Sequence, residues 1–226
     1  MKNTFPFATE EFFKLLKLSN TKEWFENSRE RYNSDVLAPA QELVTLLGLE
    51  IGRFRPNLQA IPKIDKSIFR LHRDVRFSKD KSPYKTHLGI FLWEGKRKKM
   101  ECSGLYFHLE PGNYFMATGI YMFPPDLLKV YRKCVAESVK AKELHDIMQR
   151  LAAHGNIQLG NKHFKKLPRG FQNEFPQNEY LLYNGLYGMI SGHDFQAIEG
   201  KQAIEFCTQG FEKMMDLHVW LVENLP

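Results

Sequence analysis

Cysteine is scarce in this sequence, and its few thiols stay apart. Cys102, Cys134 and Cys207 are odd in number and form no CxxC pair. That excludes a disulfide framework and a zinc ribbon, and makes a reducing, cytoplasmic compartment the expected location. Long apolar runs are missing as well. No window approaches the roughly 18 consecutive apolar residues of a spanning helix, and Met1–Pro6 holds no apolar stretch of leader length. Neither a membrane anchor nor a signal peptide is expected. No P-loop, dinucleotide-binding glycine pattern, HxH or HExxH occurs. Walker-type nucleotide hydrolysis, Rossmann redox chemistry and a zincin centre therefore lack their signatures. No metal site is assigned, and no cofactor is named. Internal repeats and low-complexity tracts are also absent.

What is present is an ordinary globular composition. The chain has 226 residues, of which 43% are hydrophobic and 13% aromatic, enough for a sizeable core. A net charge of +6 leans mildly toward an acidic partner. The hydrophobic period changes along the chain. It is helical at both ends and close to two in the middle. Thr9 reads as the cap of a first helix, Asn20 as the cap of a second in a box with Glu23, and Val36–Ile51 as a third. Strands are expected at Ile68–Arg73, Thr86–Glu94, Ser103–Glu110 and Tyr114–Tyr121, the last two as a hairpin across Pro111-Gly112-Asn113. Helices follow after Pro124-Pro125 and over Ala141–Ala153. Asn156–Lys166 reads as a strand or irregular, then come a short helix at Asn178–Asn184, a short strand at Leu186–Ser191, and one long helix over Ile198–Leu225. The grouping predicts a single α+β domain over 1–226. It has N-terminal helices in 9–54, a strand block in 67–122 and a helical part in 124–226. The sheet is mainly antiparallel, with helices from both ends of the chain packed on one face.

The most distinctive stretch begins in the first expected strand and runs on as a cationic loop. Arg70, Arg73, Arg76, Lys79, Lys81 and Lys85 fall within sixteen residues, opposed by Asp74 and Asp80. Such cations repel one another, so internal pairing or a bound anion must relieve the cost. Ser82-Pro83 marks a turn.

The run Arg73-Asp74-x-Arg76-Phe77-Ser78-Lys79-Asp80-Lys81-x-Pro83-Tyr84-Lys85-Thr86-His87 resembles the hallmark of a bacterial conserved-hypothetical family, domain of unknown function 2461. Tyr106–Tyr121, with its Glu110-Pro111-Gly112 turn, and Leu167-Pro168-Arg169-Gly170-Phe171 are similar to it too. The likeness runs from about Trp24-Phe25 to near Tyr183. It implies no activity, cofactor or residue role.

The residues themselves suggest more. Arg70, Arg73, Arg76, Lys79, Lys81 and Lys85 are candidates to hold a phosphate or carboxylate, the arginines through paired N–H groups and the lysines as point charges. Tyr84 could stack on a base or sugar, and Arg169 could reach the same anion. His72 and His108 are candidates for proton transfer, with Asp74 and Glu110 to orient them or balance charge. His87 joins them as a third histidine of the strand block. The expected function is binding of a small anionic, possibly nucleotide-like, ligand, as a hydrolase or transferase. The alternative is a non-catalytic nucleic-acid or protein binding module in which the basic motif is a scaffold. Nucleic acid ranks below a small anion as partner, because Gly95-Lys96-Arg97-Lys98-Lys99 reads best as a solvated hairpin tip. No membrane partner is expected.

Overall fold

A computed structural model describes residues 5–160, 162–171 and 176–225. The leader question at Met1–Thr4, and Asn161 within the segment read as strand or irregular, lie outside the described residues. The fold is α+β, as the change of period predicts. Its sheet is antiparallel and five-stranded, in the order β1-β2-β3-β5-β4. The strands are β1 Leu88–Glu94, β2 Ser103–Glu110, β3 Asn113–Ile120, β4 Gln158–Leu159 and β5 Leu186–Gly192. β4 pairs antiparallel with β5, Gln158 opposite Met189. Gly119, in the left-handed region at φ 131°, lets β5 come close to β3. A Cβ there would lie 2.2 Å from the carbonyl oxygen of Leu186, a distance no side chain tolerates.

The helices are α1 Phe7–Leu18, α2 Lys22–Asn27, the single turn α3 Arg29–Arg31, α4 Ala38–Gly52, α5 Pro125–Ala136, α6 Ser138–Ala153, α7 Gln202–Lys213 and α8 Met215–Asn224. Among the described residues no helix is long and apolar enough to cross a membrane. Several expected boundaries are corrected. Thr9 does not cap α1; it is buried within it, and its hydroxyl donates to the carbonyl of Asp35. Thr21, not Asn20, caps α2 by accepting from the Trp24 amide. The final helix is two helices, interrupted at Met214. Ile68–Arg73 forms no strand. It makes isolated bridges, Ile68 to Ile64, Ile68 to Ile90 of β1 and His72 to Tyr84, because it meets β1 only at its start, where the Phe69 amide donates to the Gly89 carbonyl, and from Leu71 on its partners are loop residues.

The chain divides into two compact units. The first comprises Met1–Leu92, Tyr106–Met116 and Ser191–Gln209, and the second Trp93–Leu105, Ala117–Ile190 and Gly210–Pro226. The core of the first unit is strongly aromatic. Phe12 packs edge-on to Phe25 with centroids 6.4 Å apart, and Phe25 stacks on Tyr84 at 4.2 Å and 20°. Val36, Leu43, Val44, Leu47 and Ile51 are wholly or nearly wholly buried in the same unit. Such burial is worth about 1.5–3 kcal/mol per large side chain before entropy is counted. In the second unit Leu127, Tyr131, Leu144, Leu151 and Leu217 do the same work.

Candidate functional site

The cationic motif is a pinned loop in the first unit. Its two stems are joined by the Arg73 amide donating to the Pro83 carbonyl at 2.9 Å and the Lys85 amide donating to the Leu71 carbonyl at 2.8 Å. From outside, Asn20 clasps the second stem on both sides. Its Nδ2 donates to the Tyr84 carbonyl at 2.9 Å, and its Oδ1 accepts from the Tyr84 amide at 3.1 Å. An asparagine amide presents a donor and an acceptor as a peptide does, so here it substitutes for a neighbouring strand. The Tyr84 ring, stacked on Phe25, anchors the loop to the core.

Within the loop most cations are already engaged. The Arg73 guanidinium pairs with Asp80 and donates to the Ser82 carbonyl at 3.2 Å. Asp80 in turn accepts from the Ser82 amide at 2.9 Å and hydroxyl at 2.6 Å. The Ser82 hydroxyl and amide, with Arg73, hold the Asp80 carboxyl well below the usual carboxylate range. Arg76 grips Asp74 with Nε and Nη2 at 2.9 and 2.7 Å, which lowers the Asp74 pKa. Lys81 donates to the Val75 carbonyl at 3.0 Å. Arg70 and Lys79 are exposed.

Beside the second stem lies a recess of about 350 Å³, lined by Lys17, Asn20, Arg73, Asp80, Ser82, Tyr84, Lys85, Thr86 and His87. Of the residues expected to hold an anion, it brings together Arg73, Tyr84 and Lys85. Arg70, Arg76, Lys79 and Lys81 are not among its walls. Arg169 belongs to the second unit, exposed in a turn with Gly170 at φ 89°. Three cations and one acid line the recess, and that acid is already held by Arg73 and Ser82. Lys85 differs from the loop cations. It is half-buried, and its ammonium stands 5.6 Å from the Phe69 ring centroid. Among the described residues no carboxylate lies within ion-pair distance of it. Burial, and then the charge of Arg70, lower its pKa against the longer-range pull of Asp65.

The histidines separate. His72 is exposed and packs against Phe25 and Tyr84, centroids 6.4 and 4.8 Å apart. It does not join His108. His87 does, with ring centroids 4.5 Å apart and planes 31° from parallel. His108 stacks on Phe115 at 4.5 Å and 14°. Its Nδ1 is 2.9 Å from the Tyr106 hydroxyl, and its Nε2 is 3.8 Å from Glu110 Oε2. Burial pushes the Tyr106 phenol up to about 12. The Glu110 carboxylate facing Nε2 favours the tautomer with its proton there, which leaves Nδ1 to accept from the Tyr106 hydroxyl. Gly89 leaves room for this group, since a Cβ there would lie 3.0 Å from the Tyr106 hydroxyl and 3.1 Å from Phe69. Burial first, then His108 and Lys85, bring His87 down to about 4. Burial also lowers His108, against the pull of Glu110. Glu110 thus accompanies His108 as expected, whereas Asp74 is taken by Arg76. Among the described residues no group of three or more His, Cys, Asp or Glu is placed to hold a metal ion.

Sequence reasoning missed Lys17, Asn20, Ser82 and Thr86 as recess walls. Only Asn20 had a signal, and a capping pattern explained it first. It missed a second constellation entirely, in the second unit. Ser103 Oγ is 2.9 Å from His218 Nδ1, and His218 Nε2 is 3.1 Å from Glu94 Oε2. The order is that of a hydrolytic triad, but the three residues are 0–5% exposed. The adjoining cavity holds about 20 Å³, room for about one water. No acyl group reaches Ser103, and the constellation is a buried polar brace. The Gly95–Lys99 turn is in part a paired one. Arg97 binds Glu101 and Asp126, and Lys99 stands 6.0 Å from the Trp93 ring centroid.

No curated protein and no solved structure matches this chain. A family profile does, that of the conserved hypothetical proteins of domain of unknown function 2461, over residues 8–220. That span reaches past the motif loop at both ends and takes in the recess, the histidine pair and the buried triad alike. The protein belongs to the DUF2461 family.

Proposed function

We propose that the recess of the first unit binds a small anion carrying a phosphate or carboxylate group, with Lys85 as its principal counter-charge. The observation that carries this reading is the half-buried Lys85, with no carboxylate within ion-pair distance among the described residues and only the longer-range pull of Asp65, in a recess that also holds Lys17 and Arg73. A cation kept partly from water gains most from an arriving anion. Asn20, Ser82 and Thr86 add polar groups for its oxygens. The Tyr84 ring is already stacked on Phe25, which argues against a base or sugar stacking there and narrows the ligand to a compact anion. His87, on the same wall, supports proton-transfer chemistry on the bound group, of the hydrolase or transferase kind. Three buried free thiols fit a reducing cytoplasm.

A second reading has its own support. Arg73, Arg76 and Lys81 are spent on Asp80, Asp74 and the Val75 carbonyl, so these three cations act as braces of the loop. On this reading the motif is a scaffold within a binding module.

Thermal denaturation with inorganic phosphate separates the two. At phosphate about tenfold above Kd, the wild-type protein gains about 1.4 kcal/mol, a rise of roughly 3–6 °C in Tm. Lys85→Met loses the rise, and Lys79→Met keeps it. An equal rise in Lys85→Met sinks the anion site and leaves the scaffold.

A further inference from the structure

We infer that the recess takes its anion together with one proton, and that the adjacent imidazoles of His87 and His108 are the acceptor. The inference rests on the anion site proposed above and names what accompanies the ligand there. His87 is a wall of the recess, two residues from Lys85. Its ring lies against that of His108, whose own nitrogens face Tyr106 and Glu110. The groups that face the pair are therefore Lys85 from the motif stem and Tyr106 and Glu110 from β2. Phe115, from β3, brings no charge.

With the recess empty, the pair is neutral near pH 7. Burial disfavours imidazolium at both rings, and Lys85 repels it at His87. An anion beside Lys85 cancels that repulsion and offers His87 a negative neighbour. The charge that stabilises the anion is then the charge that stabilises the imidazolium, and each raises the affinity for the other by the same factor. Only one proton enters, because a second positive ring at 4.5 Å would oppose the first. The Glu110 charge, 3.8 Å from His108 Nε2, favours that proton on either ring.

Inorganic sulfate is the suitable probe, since it stays a dianion across the range and its own titration adds no slope. Calorimetric affinity for wild-type protein is expected to rise toward tenfold per unit as pH falls from about 7 to about 5, the slope of one linked proton. His87→Gln still binds sulfate but with the slope lost. His72→Gln, which alters the imidazole that packs on Tyr84 without lining the recess, keeps it. The histidine ring-proton resonances of the wild-type protein give a reading free of mutation. Two should titrate below the ordinary histidine range, and move up when sulfate is added. Sulfate binding that is independent of pH, or a slope that survives in His87→Gln, overturns the proton linkage and leaves the anion site standing. Absence of sulfate binding at every pH, with no phosphate effect on Tm, overturns the anion site and this inference with it.

Discussion

His218 in the second unit and His87 in the first each sit in a cluster of hydrogen-bonding and titratable side chains, and the two clusters differ in access. His218 is fully buried between Ser103 and Glu94, with space for about one water beside them. His87 opens on a recess of about 350 Å³ with an ammonium alongside. The first has the residue order of a hydrolase and nowhere for a substrate. The second has no familiar catalytic order and a place for a ligand. A hydrogen-bonded order of residues is therefore a weaker guide to chemistry than the solvent path that reaches it. The motif loop repeats the lesson among its cations. Arg73 and Arg76 make the best ion pairs and are least free to act, whereas Lys85 makes none with the described residues.

The comparison can be pressed hardest at the buried cluster. His218→Ala removes two hydrogen bonds and an imidazole's volume from the core of its unit. A loss of about 3–4 kcal/mol is expected, read as a fall in the urea midpoint. A change under about 1 kcal/mol would mean that the cluster braces nothing. At the recess, Asn20→Ala deletes both hydrogen bonds to the Tyr84 backbone and should cost about 2 kcal/mol. It should also speed hydrogen exchange at the Tyr84 amide, while exchange in α5 and α6 is unchanged. Uniform acceleration across the chain would deny the clasp a local role.

The smallest effect is a pH dependence. The folded-state pKa of His87 is below its unfolded value, about 4 against 6.5. Between those values the unfolded chain binds a proton that the folded one refuses, so this residue makes stability fall as pH drops through the window. After discounting for solvent screening, its share is about 1 kcal/mol. The urea midpoint of His87→Gln should consequently fall less than wild type between about pH 6.5 and about pH 4. Parallel curves would place the acid sensitivity of that window elsewhere; the paired carboxylates Asp74 and Asp80 act only at lower pH. Their stabilising pairs are kept above the unfolded carboxyl range and lost as pH falls through their lowered folded values.

Much of the fold was legible along the chain. Strand-forming residues between turn signals placed β2 at Ser103–Glu110 without error and β3 within one residue, because a short strand closed by Pro111-Gly112-Asn113 has its limits written locally. Pro124-Pro125 marked the start of α5 and Pro39 the first turn of α4. The failures have local causes. Asn20 and Thr9 carry the chemistry of caps, yet tertiary partners, the Tyr84 backbone and the Asp35 carbonyl, claimed both side chains. The run Ile68–Arg73 has strand composition, but it stays beside β1 only at Ile68 and Phe69 and then pairs with loop residues, which composition does not foretell.

The sequence by itself determined the α+β class, the turn-bounded strands and the concentration of charge around Arg73–Lys85, since each depends on residues near one another in the chain. Which cations are clasped and which stand open was decided only by the tertiary structure. So were the meeting of His87 with His108 and the burial of Ser103, His218 and Glu94. Those outcomes depend on contacts between residues as much as 124 positions apart and on the exclusion of water, and neither leaves a periodic trace in sequence.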